Sequence, residues 1–178
     1  MNALPATEAL EGALAASPTT IARDLRLNLK RLLEDGALAR EEALLALLAV
    51  ATAVDDERLS AYARDQLSQL GFDAEQVREA SESAAIMAML NVYYRFRHMI
   101  DNDEEYRATG LRMTALARPA LGKERFEMLE FAVSVLNGCE SCIRSHERAL
   151  RDAAVSVDKI HDLARLTAVV KGLHTLHA

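Results

Sequence analysis

The chain has 178 residues, 51% of them hydrophobic, and its 27 acidic and 21 basic residues give a formal net charge of -6. This length fits one domain, residues 1–178, with a sizeable core. An acidic chain lacks the basic surface that would neutralise a phosphate backbone, so we expect no nucleic-acid partner. Only 7 glycines, 3 prolines and 4% aromatic residues are present, a composition that argues against β-sandwiches and barrels and predicts an all-α fold.

The N-terminal segment does not have the pattern of a targeting signal. Its first 20 residues contain acids but no basic residue ahead of the apolar stretch, which is the wrong order of charges for a secretory signal. No run approaches the roughly 18 apolar residues that a membrane span needs. We therefore expect a cytoplasmic protein without a membrane partner, in a compartment where isolated structural disulfides are uncommon.

The first predicted helix begins in the Ser-Pro-Thr-Thr segment at residues 17–20 and ends at Gly36. Apolar residues recur between these points at helical spacing. This periodicity predicts a buried face made of Ile21, Leu25, Leu29, Leu32 and Leu33.

Three more helices are predicted before residue 100. The apolar block at residues 43–54 is too long for a typical strand and predicts a buried helix that breaks near Asp55. The next helix ends at Gly71. Asp73 and Gln76 have the spacing of a capping box and open a long helix that runs towards residues 97–99. The inward face of the middle helix is predicted to carry Leu59, Ala63, Leu67 and Leu70.

The second half of the chain resembles the first when the sequence is shifted by 83 residues. Residues 47–67 then align with residues 130–150; identities are few, but the residue classes agree. We interpret this as an internal repeat of approximately residues 40–99 and 123–178. Asp56 and Leu59 stand where the second half has Cys139 and Cys142, so one half would be scaffold and the other would carry the chemistry.

Cys139, Cys142 and His146 follow an Asn-Gly break at residues 137–138 and would lie on one face of a helix. In the first turn of that helix, the positive end of the dipole favours a Cys139 thiolate, and Cys142 can exchange a proton with His146. Cysteines at this spacing can also form a disulfide across one turn. The pattern favours a redox dithiol, on a scaffold unlike the βαβ context of thioredoxin.

Two other interpretations of these cysteines stay open. They could be inert packing residues. Alternatively, Cys139, Cys142, His146 and His161 could bind zinc, which would make the chain a helical oligomeric binding protein with a structural Cys/His site. Structural zinc sites usually use a second close pair of ligands, which His161 does not provide, so we expect no bound metal.

The segment FEMLEFAVSVLNGC at residues 126–139, with Cys142 and His146, resembles the alkyl hydroperoxide reductase AhpD family within the carboxymuconolactone decarboxylase-like superfamily. The likeness extends to NVYYRFRH at residues 91–98 and covers nearly the whole chain. It implies an AhpD-like all-α fold, a homotrimer and a redox-active C-x-x-C pair. It also implies a peroxiredoxin partner, with dihydrolipoamide on a lipoylated 2-oxoacid dehydrogenase acyltransferase as the electron donor.

The expected activity is therefore that of an antioxidant oxidoreductase, which reduces an oxidised peroxiredoxin or an organic hydroperoxide directly. No glycine-rich phosphate loop is present, and we expect no bound metal, flavin or nucleotide. A decarboxylase-like activity from the wider superfamily is less favoured, because proton transfer on a lactone does not need a pair of thiols.

The resemblance also implies a role for each site residue. Cys142 becomes the sulfenic acid, Cys139 donates a proton and resolves the intermediate, and Glu127 and His146 are the ends of a proton relay. A Glu127 carboxylate in an apolar stretch would be costly without a partner, which agrees with such a pairing. The chain departs from the family pattern at Ser141, where family members often carry an auxiliary relay histidine between the cysteines.

Overall fold

The computed structural model describes residues 18–100 and 104–177, together with residues 12 and 14. These residues contain helices and no strand, which confirms the all-α prediction. A short 3-10 helix, Thr114–Ala117, precedes the second half. The α-helices are α1 (Thr20–Glu34), α2 (Arg40–Ala53), α3 (Glu57–Gln69), α4 (Ala74–Ile100), α5 (Lys123–Asn137), α6 (Glu140–Asp152) and α7 (Val157–His177).

Helix α1 begins where its sequence predicts, because the Thr19 hydroxyl accepts a hydrogen bond from the backbone N–H of Ala22 at 3.2 Å. Leu29, Leu32 and Leu33 are buried as expected, and Leu25 packs beside them. The prediction for Ile21 is wrong, since its side chain is 67% exposed. It lies in the first turn, and periodicity alone does not show where along a helix the contact with its neighbours begins.

Helix α2 lies at the centre of the molecule and packs against every other α-helix of the described residues except α6. Its residues 43–51 are almost completely buried, as required of a helix that is apolar on every side. In α3, Leu59, Ala63 and Leu67 face inward as predicted. Leu70 does not: it is 48% exposed, because α3 ends at Gln69 and Leu70 is its C-cap.

The long helix α4 opens with the predicted capping box. The backbone N–H of Gln76 donates to Oδ1 of Asp73 at 2.9 Å, and the backbone N–H of Asp73 donates to Oε1 of Gln76 at 3.2 Å. The helix then continues for 27 residues, past the predicted region, to Ile100. Within the described residues, no helix combines the length and the hydropathy that crossing a membrane requires.

Corresponding helices of the two halves start 83 residues apart, at Arg40 and Lys123, for example, and at Glu57 and Glu140. The breaks correspond as well: the chain turns at positive φ at Asp55 (61°) and again 83 residues later at Gly138 (64°). Buried residues of both halves contribute to one hydrophobic core. The duplication itself stays a prediction, but both halves present the same order of helix and break.

Candidate active site

The two cysteines lie at the junction of α5 and α6 and form a disulfide. Their sulfur atoms are 2.12 Å apart, and their Cα atoms are 5.3 Å apart. Helix α5 ends because Gly138 adopts the left-handed conformation, and the N–H of Cys139 then bonds to the carbonyl of Ser134 at 3.2 Å. Helix α6 starts with the next residue. The Asn-Gly-Cys sequence therefore places Cys139 at the N-cap of α6, one residue before the predicted first turn.

The N-terminus of α6 has no side-chain cap at Cys139. In the corresponding place, Asp56 caps α3 by accepting a hydrogen bond from the N–H of Leu59 at 3.2 Å. The first-turn N–H groups of α6 are thus left beside the sulfur atoms. Such groups, with the positive end of the helix dipole, stabilise a thiolate.

A cavity of about 400 Å³ opens over one of the two sulfurs. Cys142 lines it, whereas Cys139 is completely buried and does not. A molecule that enters the cavity therefore meets Cys142 first. Its lining combines apolar and polar side chains: Met87, Leu90, Tyr94, Met113 and Leu116, with Glu130, Ser141, Cys142, Ser145 and His146.

Ser141 occupies the position between the two cysteines. Its hydroxyl lies 3.7 Å from the sulfur of Cys139, and its side chain contributes to the cavity. A serine hydroxyl can donate one hydrogen bond but cannot relay protons near neutral pH as an imidazole does. The remaining acid–base groups must come from the neighbouring helices.

Glu127 on α5 and His146 on α6 meet across the helix interface. Nδ1 of His146 lies 2.6 Å from Oε1 of Glu127, and the two side chains are 16% and 27% exposed. A carboxylate can only accept, so the ring N–H donates, which leaves Nε2 as the nitrogen that can exchange a proton. The structure thus brings all four predicted site residues to one place: Cys139, Cys142, Glu127 and His146.

A fifth polar residue, Glu130, belongs to the same cluster and was not singled out from the sequence. It follows Glu127 by one turn of α5, is 7% exposed and lines the cavity. Burial raises the pKa of its carboxyl to about 7; the opposite charge of His146 acts against this, and the charge and hydrogen bond of Glu127 add to it. The sequence feature that could have indicated Glu130 is an acidic residue three positions after Glu127 in an otherwise apolar run.

Glu127, Glu130 and His146 bring their polar atoms within 4.8 Å of one another. Cations also bind such sets, but here Nδ1 of His146 is already bonded to Glu127, and the charges of His146 and Glu127 both act on Glu130. We therefore interpret them as an acid–base cluster. The zinc alternative would need both sulfurs as thiolates, whereas in this structure they are bonded to each other and His161 is exposed on α7.

A buried polar network holds α4 against the end of α5, just before the disulfide. The Asn91 amide donates to the Ser134 hydroxyl at 3.0 Å and accepts from the Asn137 amide at 2.9 Å. Arg95 donates to the carbonyl of Asn137 at 3.0 Å. The segment at residues 91–98 thus positions the Asn-Gly turn that presents Cys139.

Comparison with known proteins gives two kinds of match. The model of the carboxymuconolactone decarboxylase family matches residues 105–178. Relatives that carry the name alkyl hydroperoxide reductase AhpD are similar over most of the chain. The one from Anaeromyxobacter dehalogenans strain 2CP-C is 42% identical over 151 residues, 84% of this chain and 80% of the relative. That from Rhizorhabdus wittichii is 38% identical over 158 residues, 88% and 91% of the two chains. That from Mycolicibacterium smegmatis is 38% identical over 156 residues, 85% of each chain.

Proposed function

The chain belongs to the alkyl hydroperoxide reductase AhpD family, and we propose that it is an antioxidant thiol oxidoreductase whose Cys139–Cys142 pair alternates between dithiol and disulfide. In this cycle the dithiol reduces an organic hydroperoxide, or the disulfide of a partner peroxiredoxin, and dihydrolipoamide restores the dithiol. No bound metal or organic cofactor takes part.

The observation that carries this proposal is the unequal placement of the two sulfurs. Cys142 faces a cavity that also contains His146 and Glu130, while Cys139 is buried at the helix N-cap behind it. One sulfur can therefore meet the substrate, and the other can only resolve the product. An inert pair of core cysteines would not need acid–base groups around a cavity.

The oxidative half of the cycle uses this division. The Cys142 thiolate attacks one peroxide oxygen, so that an S–O bond forms, the O–O bond breaks and an alkoxide leaves. The Cys139 thiol then attacks the sulfenic acid, forming the disulfide and releasing water. Each hydroperoxide is reduced to an alcohol, and the two thiols together supply both electrons.

The reductive half is a thiol–disulfide exchange with a dithiol of the dihydrolipoamide type. Its thiolate reaches Cys142 through the cavity and displaces Cys139, which leaves as a thiolate at the N-terminus of α6. That position lowers the pKa of a thiol, and a leaving thiol of low pKa departs faster. A lipoyl group carried on the acyltransferase of a 2-oxoacid dehydrogenase is the donor that we propose.

We further propose that the protein acts as a homotrimer. One face of α4 presents apolar side chains at helical spacing in the described part of the chain, and Tyr106 packs edge-on against Phe96 with ring centroids 5.2 Å apart. Exposed stripes of this kind are typical of subunit interfaces. The exposed residues of this stripe are Val92, Phe96, Met99 and Ile100, with Tyr106 beside them.

The proposal is tested by following hydroperoxide-dependent oxidation of dihydrolipoamide, with and without a two-cysteine peroxiredoxin. The wild type should turn over, and Cys142→Ser and Cys139→Ser should each abolish turnover while the helical circular dichroism spectrum is kept. Peptide mapping without reductant should recover a Cys139–Cys142 peptide pair only after peroxide treatment of the reduced wild type. Near-normal turnover of either variant would contradict the paired-thiol cycle.

A further inference from the structure

Glu130 is a buried acid that the proton relay of Glu127 and His146 does not include. It lies on the cavity wall with Cys142 and His146, and only 7% of it is exposed. A buried carboxyl is costly to ionise. Its presence in the cavity that Cys142 lines therefore needs an explanation beyond packing.

The peroxide reaction leaves a proton to be supplied. When the Cys142 thiolate cleaves the O–O bond, the departing alkoxide is a strong base and must be protonated. The proton of the Cys139 thiol is used in the next step, because it leaves with the sulfenic hydroxyl as water. One further proton per turnover is therefore needed at the leaving oxygen.

Glu130 is placed and prepared to hold that proton. Burial and the adjacent Glu127 carboxyl keep the pKa of Glu130 at about 7, so that near neutral pH a substantial fraction is protonated. The polar atoms of Glu130 and Glu127 lie within 4.8 Å of one another, and two carboxyls this close are less costly to bury when one of them carries a proton. His146, by contrast, is bonded to Glu127 through Nδ1, so its exchangeable nitrogen Nε2 already belongs to the relay that serves the sulfurs.

We propose that Glu130 supplies this further proton, beside the one that Cys139 donates: it takes up a proton when the Cys139–Cys142 disulfide is reduced, and it gives that proton to the alkoxide that leaves when the peroxide is cleaved. This inference rests on the peroxide-reducing function proposed above. It specifies the class of reaction at this cavity as one that produces a basic leaving oxygen.

The proton balance closes over both halves of the cycle. Dihydrolipoamide loses two thiol protons as it becomes the cyclic disulfide; one protonates Cys139 and the other protonates Glu130, while Cys142 remains a thiolate. The peroxide then consumes both protons, one in the alcohol and one in water. A nearby Cys142 thiolate also favours the protonated form of Glu130, because like charges repel.

Few charged groups act on Glu130. Among the described residues these are Glu127 on its own helix and His146 on α6. Helix α4 contributes the phenol of Tyr94 to the same cavity. Helices α2 and α7 also pack against α5, but no charged group of theirs acts on Glu130. In the reduced protein, the thiols of Cys139 and Cys142 are further titratable groups near Glu130.

The first test measures the proton directly and does not depend on turnover. An infrared difference spectrum between the disulfide form and the form reduced by a phosphine, recorded at pH 8, should gain the carbonyl stretch of a protonated carboxyl in the wild type. Glu130→Gln should lose this band. Glu124→Gln removes the same charge from an exposed position on α5 and should retain it.

The second test is kinetic. With an alkyl hydroperoxide and dihydrolipoamide, Glu130→Gln should lower kcat by about 10²-fold, within the range of general acid catalysis, and leave KM little changed. The wild-type kcat should decline at or above pH 7 as Glu130 loses its proton, and this decline should vanish in Glu130→Gln. Glu124→Gln should follow the wild-type profile.

The outcomes separate this inference from the proposed function. Absence of hydroperoxide turnover in the wild type would overturn the function, while the infrared band would still decide whether reduction protonates Glu130. If the wild type turns over hydroperoxide but Glu130→Gln keeps the normal kcat and pH profile, the inference about Glu130 is overturned and the proposed function is not. The same holds if Glu130→Gln keeps the infrared band. If Glu130→Gln does not fold, Glu130→Asp should shift the band, and an unshifted band would contradict the assignment.

Discussion

Four of the five ionisable or redox side chains of the site, all except Cys139, occupy places that are apolar in the first half of the chain. Subtracting 83 from Glu127, Glu130, Cys142 and His146 leads to Leu44, Leu47, Leu59 and Ala63. All four of these are completely buried. The first half uses these positions for packing, and the second half uses them for a cluster of polar groups that compensate one another's burial.

At the scale of single residues, the Glu127–His146 pair should control the reactivity of the thiols. Glu127→Gln and His146→Phe should each lower the turnover number by about 10²-fold or more, because proton transfer to and from the sulfurs is lost. Both should also raise the pH at which the first thiol of the reduced protein reacts with iodoacetamide. Alkylation rates measured against pH, beside a melting curve, check this.

The same measurements distinguish the relay from a purely structural contact. A structural role would lower the melting temperature and leave the pH dependence of alkylation as in the wild type. Glu124→Gln serves as the control, since it removes an exposed carboxylate from the same helix. If neither relay variant changes the thiol titration, the helix N-terminus alone activates the cysteines.

Glu130 should also make folding stability depend on pH. Because its pKa is raised to about 7 in the folded protein, the folded state binds more protons than the unfolded state between about pH 4.5 and 7. The free energy of unfolding should therefore fall as pH rises through this window, by up to roughly 3 kcal/mol. Urea denaturation of the oxidised protein at pH 5 and pH 8 should show this loss, and Glu130→Gln should reduce it.

At the scale of helices, the two halves differ in how the third and sixth helices begin. Asp56 caps α3, and burial acts to raise its pKa, but the hydrogen bond from Arg58 and the N–H of Leu59 outweigh this and hold the pKa below its ordinary value. Cys139 starts α6 without such a bond. The second half thus gives up a capping interaction where it places a reactive sulfur.

Asp56→Ala should lower the free energy of unfolding by about 1 kcal/mol, and by up to about 2 kcal/mol, because the cap of α3 is lost. Asp56→Asn keeps an acceptor for the N–H of Leu59 and should cost less. Since the pKa of Asp56 is lowered on folding, the difference between wild type and Asp56→Asn should be largest near neutral pH and shrink on acidification. Urea titrations at two pH values provide the measurement.

Cys139→Ser offers the matched change in the other half. Under reducing conditions this variant should be at least as stable as Cys139→Ala, because a serine hydroxyl can cap α6 as Asp56 caps α3. Equal stability of the two variants would show that the first turn of α6 does not gain from a cap.

At the scale of the whole molecule, the exposed stripe on α4 should form the contact between three subunits. Met99 is 78% exposed, and Met99→Glu should shift the protein from about three times the 19.6 kDa chain mass towards a monomer at micromolar concentration. Ile21 is 67% exposed on α1, so Ile21→Glu is the control and should leave the mass unchanged. Sedimentation equilibrium measures both, and a monomeric wild type would reject the trimer.

The sequence by itself determined the elements and the reactive pair. Caps, the left-handed turn at Gly138 and the C-x-x-C spacing act over a few neighbouring residues, so they can be recognised without knowledge of the fold. For the same reason, the start of α1 at Thr20, the capping box at Asp73 and the junction at Cys139 agree with the structure to within one residue.

Only the tertiary structure decided which side chains meet. Ile21 and Leu70 match the apolar periodicity yet are exposed, because burial depends on where another helix passes. The raised pKa of Glu130 and the opening of the cavity onto Cys142 rather than Cys139 likewise depend on α4, α5 and α6 packing together. These are interactions between residues far apart in the chain, and local spacing does not encode the distances on which desolvation and proton transfer depend.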